Sequence, residues 1–122
     1  MAYSSFEELE VWQRETQIAI NIYELLDGCR DFGLKDQMTR AAVSIPSNIA
    51  EGAERDSTKE FIRYLHIAKG SAAELRTQLY IAHAVQVVST QDHDKIKGDL
   101  ELISRKLHKL IQSLKHPTHP KT

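Results

Sequence analysis

Six histidines, at positions 66, 83, 93, 108, 116 and 119, and a single cysteine, Cys29, are the metal-binding side chains of this 122-residue chain. Their spacing does not suit a metal. Structural zinc needs Cys and His clustered at short intervals, and no such cluster is present. His116 and His119 are close in sequence, but Pro117 and Pro120 stand among them and argue against an ordered site. The di-iron pattern of helical bundles requires Glu-x-x-His on two helices, and that motif is missing. Neither a metal nor a cofactor is expected. Nucleophilic catalysis needs a Ser or Cys beside a base and an orienting group. Cys29 sits at an expected helix end with no histidine beside it, and Ser44 and Ser71 lie among small residues where packing explains them. Gly28 and Gly33 lack the spacing and the Lys-Ser/Thr ending of a phosphate loop. No catalytic residue, and hence no enzyme or small-molecule substrate, is expected.

The stretch that organises the chain is 40–52, Arg-Ala-Ala-Val-Ser-Ile-Pro-Ser-Asn-Ile-Ala-Glu-Gly. At 3.6 residues per turn it separates into two faces. Met38, Ala42, Ile45, Ile49 and Ala53 form an apolar stripe. Arg40, Ser44, Ser47, Asn48, Glu51 and Arg55 gather opposite. Small side chains punctuate both faces and would let neighbouring helices approach on more than one side. Pro46 either kinks a continuous helix or starts a new one capped by Ser44. The stripe keeps its phase across the proline, which favours a continuous, kinked helix.

This segment, Phe61 to Leu65, and the run from Ala68 to Leu79 (Ala-Lys-Gly-Ser-Ala-Ala-Glu-Leu-Arg-Thr-Gln-Leu) together resemble a bacterial family. Its members are four-helix-bundle proteins first noticed as reading frames inside intervening sequences of large-subunit ribosomal RNA genes. The accessory variability protein of diversity-generating retroelements is a relative. The resemblance runs from Phe6 to about Leu114. It implies a four-helix protomer, a homopentameric ring and no known catalysis. Arg76 stands where the family commonly has an acid.

The remaining elements follow from periodicity and punctuation. Ser5 is placed to cap a first helix from Phe6 to about Asp27. Its apolar residues make two stripes, Leu9, Trp12, Thr16, Ala19, Tyr23, Leu26 and Val11, Ile18, Ile22, Leu25. That arc is wider than a surface helix needs, so the helix wants partners on two sides. Gly28 and Gly33 read as stops. A second helix should run from Lys35 or Asp36 to Arg55. Ser57-Thr58-Lys59-Glu60 matches a capping box and opens a third helix over 58–86. Its stripe is Phe61, Leu65, Ala68, Ala72, Leu75, Leu79 and Ala82, with Ile67 and Ile81 on another face near Gly70 and Glu74. Ser89 or Thr90 caps the last helix, 92–115, whose seam is Ile96, Leu100, Ile103, Leu107, Leu110 and Leu114. The expectation is one all-α domain over 1–115, an antiparallel up-down-up-down four-helix bundle, with 116–122 as a disordered tail.

Net charge is −1, so nothing global attracts nucleic acid or an anionic membrane. The charge is uneven. Residues 1–36 carry eight acids against three bases, and residues 92–122 carry seven bases against four acids. A lone cysteine fits a reducing compartment. No apolar run approaches the roughly 20 residues that span a bilayer, and no basic-then-apolar leader is expected at the N-terminus. A cytoplasmic protein without membrane contact is expected.

Function reduces to surfaces. Arg40, Ala41, Ser44, Asn48 and Glu51 on the second helix, with Ile67, Gly70 and Glu74 on the third, form the expected homo-oligomer interface. Glu51 and Glu74 either join Asn48, Arg40 or Arg63 in a polar network at a subunit contact or lie on a solvated face. Arg105, Lys106, Lys109 and Lys115 are the expected contacts if the protein binds nucleic acid. Asp92, Asp94, Asp99 and Glu101 confine that basic patch to 105–115, and no stacking aromatic stands on the helix. The reading is a non-enzymatic, self-assembling scaffold. The alternative is a nucleic-acid-binding accessory factor.

Overall fold

The computed structural model describes residues 5–117. Residues 118–122, most of the expected tail, lie outside that range. The chain forms four α-helices, α1 (Glu10–Leu25), α2 (Phe32–Ala53), α3 (Thr58–Ala84) and α4 (Thr90–Lys115), after a short 3-10 turn at Phe6–Glu8. No strand occurs among the described residues.

The helix starts are set by side-chain caps. Ser5 accepts from the Glu7 amide, but this caps only the 3-10 turn; Leu9 is extended (φ −74°, ψ 125°), so α1 begins at Glu10 rather than Phe6. Asp31 accepts from the Leu34 amide at 3.0 Å. It starts α2 at Phe32, earlier than expected, and Gly33 lies inside the helix. Only Gly28, at φ +82°, is the left-handed stop that Gly permits cheaply. Ser57 accepts from the Glu60 amide at 3.1 Å, as the capping box requires. Glu60 does not reach back; its carboxylate pairs with Arg63 at 3.2 Å. Ser89 caps α4 by accepting from the Asp92 amide. Helix α2 runs unbroken through Pro46.

Consecutive helices pack side by side, and α4 closes on α1; α1 and α3, like α2 and α4, are diagonal. The pairing is antiparallel. Late α2 meets early α3 where Gly52 faces Phe61 and Tyr64, and mid-α2 meets mid-α3 where Ser44 and Ser71 bond at 2.9 Å. Early α1 meets late α4 through Glu10 and Lys106, 3.1 Å apart.

Each helix gives one stripe to a shared core. All seven expected α3 residues are buried, as are Met38, Ala42, Ile45 and Ile49 of α2. Ala53 is half-buried. The α4 seam holds through Leu107, then moves to Ile111, leaving Leu110 and Leu114 at the edge. A straight helix of 3.6 residues per turn drifts off a strict 3.5 repeat, which moves the last contact by one residue. On α1 the two stripes resolve differently from expectation. Val11, Glu15, Ile18 and Ile22 lead into the core, Tyr23 and Ile20 face outward, and the second residue of the set is a carboxylate.

Gly52 explains how α2 and α3 come so close. A Cβ there would lie 2.6 Å from the Tyr64 Cβ and 3.3 Å from the Phe61 carbonyl oxygen. Neither atom is the end of a flexible side chain, so only glycine fits the present separation.

Candidate interaction surfaces

The face of α2 turned away from its core stripe carries Arg40, Ser44, Ser47, Asn48 and Glu51. Ser44 and Asn48 are one turn apart, and Asn48 Nδ2 donates to the Ser44 carbonyl at 2.8 Å and to its hydroxyl at 3.0 Å. The Ser44–Ser71 bond then joins this face to α3, so both helices present one continuous surface. On α3 the residues flanking Ser71 are Ile67, Gly70 and Glu74. Ile67, Glu74 and Ile81 recur at seven-residue steps and stay on one side; the two isoleucines are 40% and 47% exposed. Seven of the eight expected interface residues therefore share this surface. Ala41 does not: it is 2% exposed, inside the protomer. It lies four residues before Ile45, on the edge of the core stripe, where its small side chain serves the packing of α2 within the bundle.

The expected polar network is not assembled within the protomer. Arg40 pairs with Asp36 at 3.0 Å on a well-exposed helix face, an interaction of little worth to stability. Arg63 pairs with Glu60 and stands over the Tyr64 ring, while Arg55 donates to the Tyr64 hydroxyl. Glu51 and Glu74 are exposed. Glu51 lines a recess of about 560 Å³ with Phe6, Ser47, Ala50, Glu54 and Arg55.

The second surface lies on α4 and its α3 flank. Arg105, Lys106 and Lys109 line an open groove of about 700 Å³, with Ala73 and Leu102 as apolar lining. Lys69 and Arg76 of α3 complete it. The sequence reading marked Arg76 only as a departure from the resembled family and assigned neither residue to a basic surface, because the grouping arises only when α3 and α4 pack. Lys115, at the last turn of α4, is not among the lining residues. Lys106 is partly committed elsewhere: its ammonium donates to Glu10 at 3.1 Å, and Arg14 holds the same carboxylate at 2.8 Å. These two cations, Arg14 foremost, hold the Glu10 carboxyl below its usual range.

Two further groups escaped the sequence reading. His83 and His93 stack across the α3–α4 turn with centroids 4.5 Å apart. Their ring nitrogens engage Thr90 at 3.0 Å and Asp94 at 2.9 Å, so the pair ties the turn together. Among the described residues no three His, Cys, Asp or Glu side chains come together as a metal site. The other group is Glu15. It is fully buried, and neither carboxylate oxygen has a hydrogen-bond partner. Burial alone pushes its carboxyl up to about 8. The signal was available: Glu15 falls four residues after Val11 and three before Ile18, in the middle of a core stripe.

No helix among the described residues is long and apolar enough to cross a membrane. No match to a curated protein was found. A crystal structure at 1.70 Å resolution of a protein with unknown function from the S23 ribosomal protein family of Bacteroides thetaiotaomicron is similar, with 25% identity and a TM-score of 0.79. The alignment covers 84% of this chain and 98% of that one. The description 23S rRNA-intervening sequence protein matches residues 7–109, a span that takes in all of α1, α2 and α3 and most of α4. By that match the chain belongs to the 23S rRNA-intervening sequence protein family.

Proposed function

We propose that this protein is a non-enzymatic interaction module that works as a cytoplasmic homo-oligomer, a pentameric ring in its complete form. The observation that carries the reading is the outer face of α2 and α3, where Ile67 and Ile81 are substantially exposed on either side of Glu74. Gly70 adds to it. It lies in the middle of the 27-residue α3, and a Cβ there would meet nothing within 4 Å. A mid-helix glycine costs about 1 kcal/mol relative to alanine. A closely approaching neighbour on this face of α3 would account for a glycine there.

A closed ring needs two different patches per protomer, each meeting the other on the next copy. The second patch is on α1, where Ile20 and Tyr23 are 46% and 53% exposed. Helix α1 is diagonal to α3, so the two patches lie on different sides of the bundle. In the assembled ring Glu51 and Glu74 take partners from the neighbouring copy. The number five comes from the family resemblance. The solution mass tests the reading. The native protein should run as a stable oligomer, and Ile67→Asp with Ile81→Asp should release folded monomers. An oligomer that survives both changes would place the interface elsewhere.

A further inference from the structure

We propose that the groove between α3 and α4 binds the phosphate backbone of a nucleic acid, with Lys69, Arg76, Arg105 and Lys109 as the contacting cations. The proposal does not depend on ring formation, because one protomer holds the complete groove. Assembly would only multiply it and raise avidity.

Three features support the assignment. First, the charge is concentrated. The chain as a whole is at −1, yet the groove is lined by five lysine and arginine side chains and His108, and by no carboxylate among the described residues. Among the described residues only Lys106 of this set has an acidic partner, Glu10; the four named cations form no ion pair there. Second, the cations stand on two antiparallel helices that flank an open channel. Arg105 and Lys109 are one turn apart and Lys69 and Arg76 two turns apart, about 6 and 10 Å along the axes. An extended polyanion can engage both rows at once, which a compact ion cannot. Third, the lining is short of large aromatic side chains. Ala73 and Leu102 contribute apolar lining, and no Phe, Tyr or Trp side chain lines it. The groove gives a protein partner no Trp or Tyr to anchor on, two of the residue types that dominate protein interfaces. Bases would find no Phe, Tyr or Trp ring to stack on. What remains is attraction of cations for phosphate, the sequence-independent mode of binding.

This identity predicts a salt dependence. Four phosphate contacts give a slope of log K against log salt of about −3.6 on duplex and about −2.8 on a single strand. The experiment is fluorescence anisotropy of the native protein with labelled 20-nucleotide single-stranded and duplex DNA and RNA, from 50 to 200 mM salt. We expect binding that is indifferent to sequence, with a slope at least this steep. Arg76→Glu with Lys109→Glu should weaken binding at least tenfold and reduce the slope by about 2. Lys59→Glu, outside the groove, should change neither. Helical content by circular dichroism and solution mass check that the double variant is intact. No binding at 50 mM salt, binding unaffected by the double reversal, or equal affinity for a poly-glutamate peptide would each overturn the proposal. A nucleic-acid result of either kind leaves the mass measurement untouched, so the two readings fail separately.

Discussion

Glu15 supplies the sharpest energetic test of the bundle. Its carboxyl is fully buried, without a hydrogen-bond partner, and its proton is held to about 8 against an ordinary 4.5. Between those values the folded protein keeps a proton that the unfolded chain releases. Stability must therefore fall as pH rises through this window, because the unfolded state binds fewer protons. At 1.36 kcal/mol per pH unit, the interval corresponds to a loss of about 4–5 kcal/mol between pH 4.5 and 8, of which about 3 kcal/mol has gone by pH 7. Replacing the carboxyl by an apolar chain of similar length, Glu15→Met, removes the proton and leaves the core filled. The variant should be more stable at pH 7 by about 3 kcal/mol or more, which for a domain of this size raises the melting temperature by about 10 °C. The assay is thermal unfolding by circular dichroism at pH 5, 7 and 8.5, at one fixed chain concentration, since assembly itself shifts the transition. The quantity that matters is the difference between variant and native protein. It should widen steadily with pH, by about 4 kcal/mol across the window. A difference that stays constant with pH would refute the reasoning, and would mean that the carboxylate finds water or a cation in solution.

Two further substitutions probe the glycines. Gly52→Ala should cost about 1–3 kcal/mol in a denaturant titration despite the better helix propensity of alanine, because its Cβ meets Tyr64 and Phe61 between α2 and α3; an unchanged midpoint would contradict the close approach. Gly70→Ala and Gly98→Ala meet no neighbours in the protomer and should each stabilise the monomeric Ile67→Asp, Ile81→Asp background by about 0.5–1 kcal/mol. In the otherwise native chain only Gly70→Ala should weaken assembly on dilution, since Gly98 lies on α4, away from the proposed interface.

Most of the fold was legible because three of the four core stripes obey one rule. On α3, Ala and Leu recur at helical spacing with no polar residue among them, and every member is buried. On α2 the stripe runs through Pro46 without losing phase. Helix α1 misled for a physical reason: a charged residue occupies a core position while Tyr23 and Ile20 face out, so residue type and burial part company there. The start of α2 was hidden behind Gly33, which looks like a stop, while Asp31 does the capping. The surfaces were half legible. Ser44, Asn48, Glu51, Ile67, Gly70 and Glu74 sort onto one side by spacing alone, but the Ser44–Ser71 bond that unites them depends on packing. Ala41 shows the limit: small residues look alike whether they serve an outer contact or the core. The basic groove was legible only in its α4 half, since Lys69 and Arg76 join it through the antiparallel register of α3 and α4.

Self-assembly through the α2–α3 face is the central claim, and the solution mass of the purified native protein tests it most directly. Light scattering at low and high salt should give a stable particle of about five times the 13.9 kDa chain mass, unchanged by salt because apolar contacts carry the interface. A monomer of 13.9 kDa at every concentration would contradict the account, leaving Ile67 and Ile81 as ordinary solvent-facing side chains.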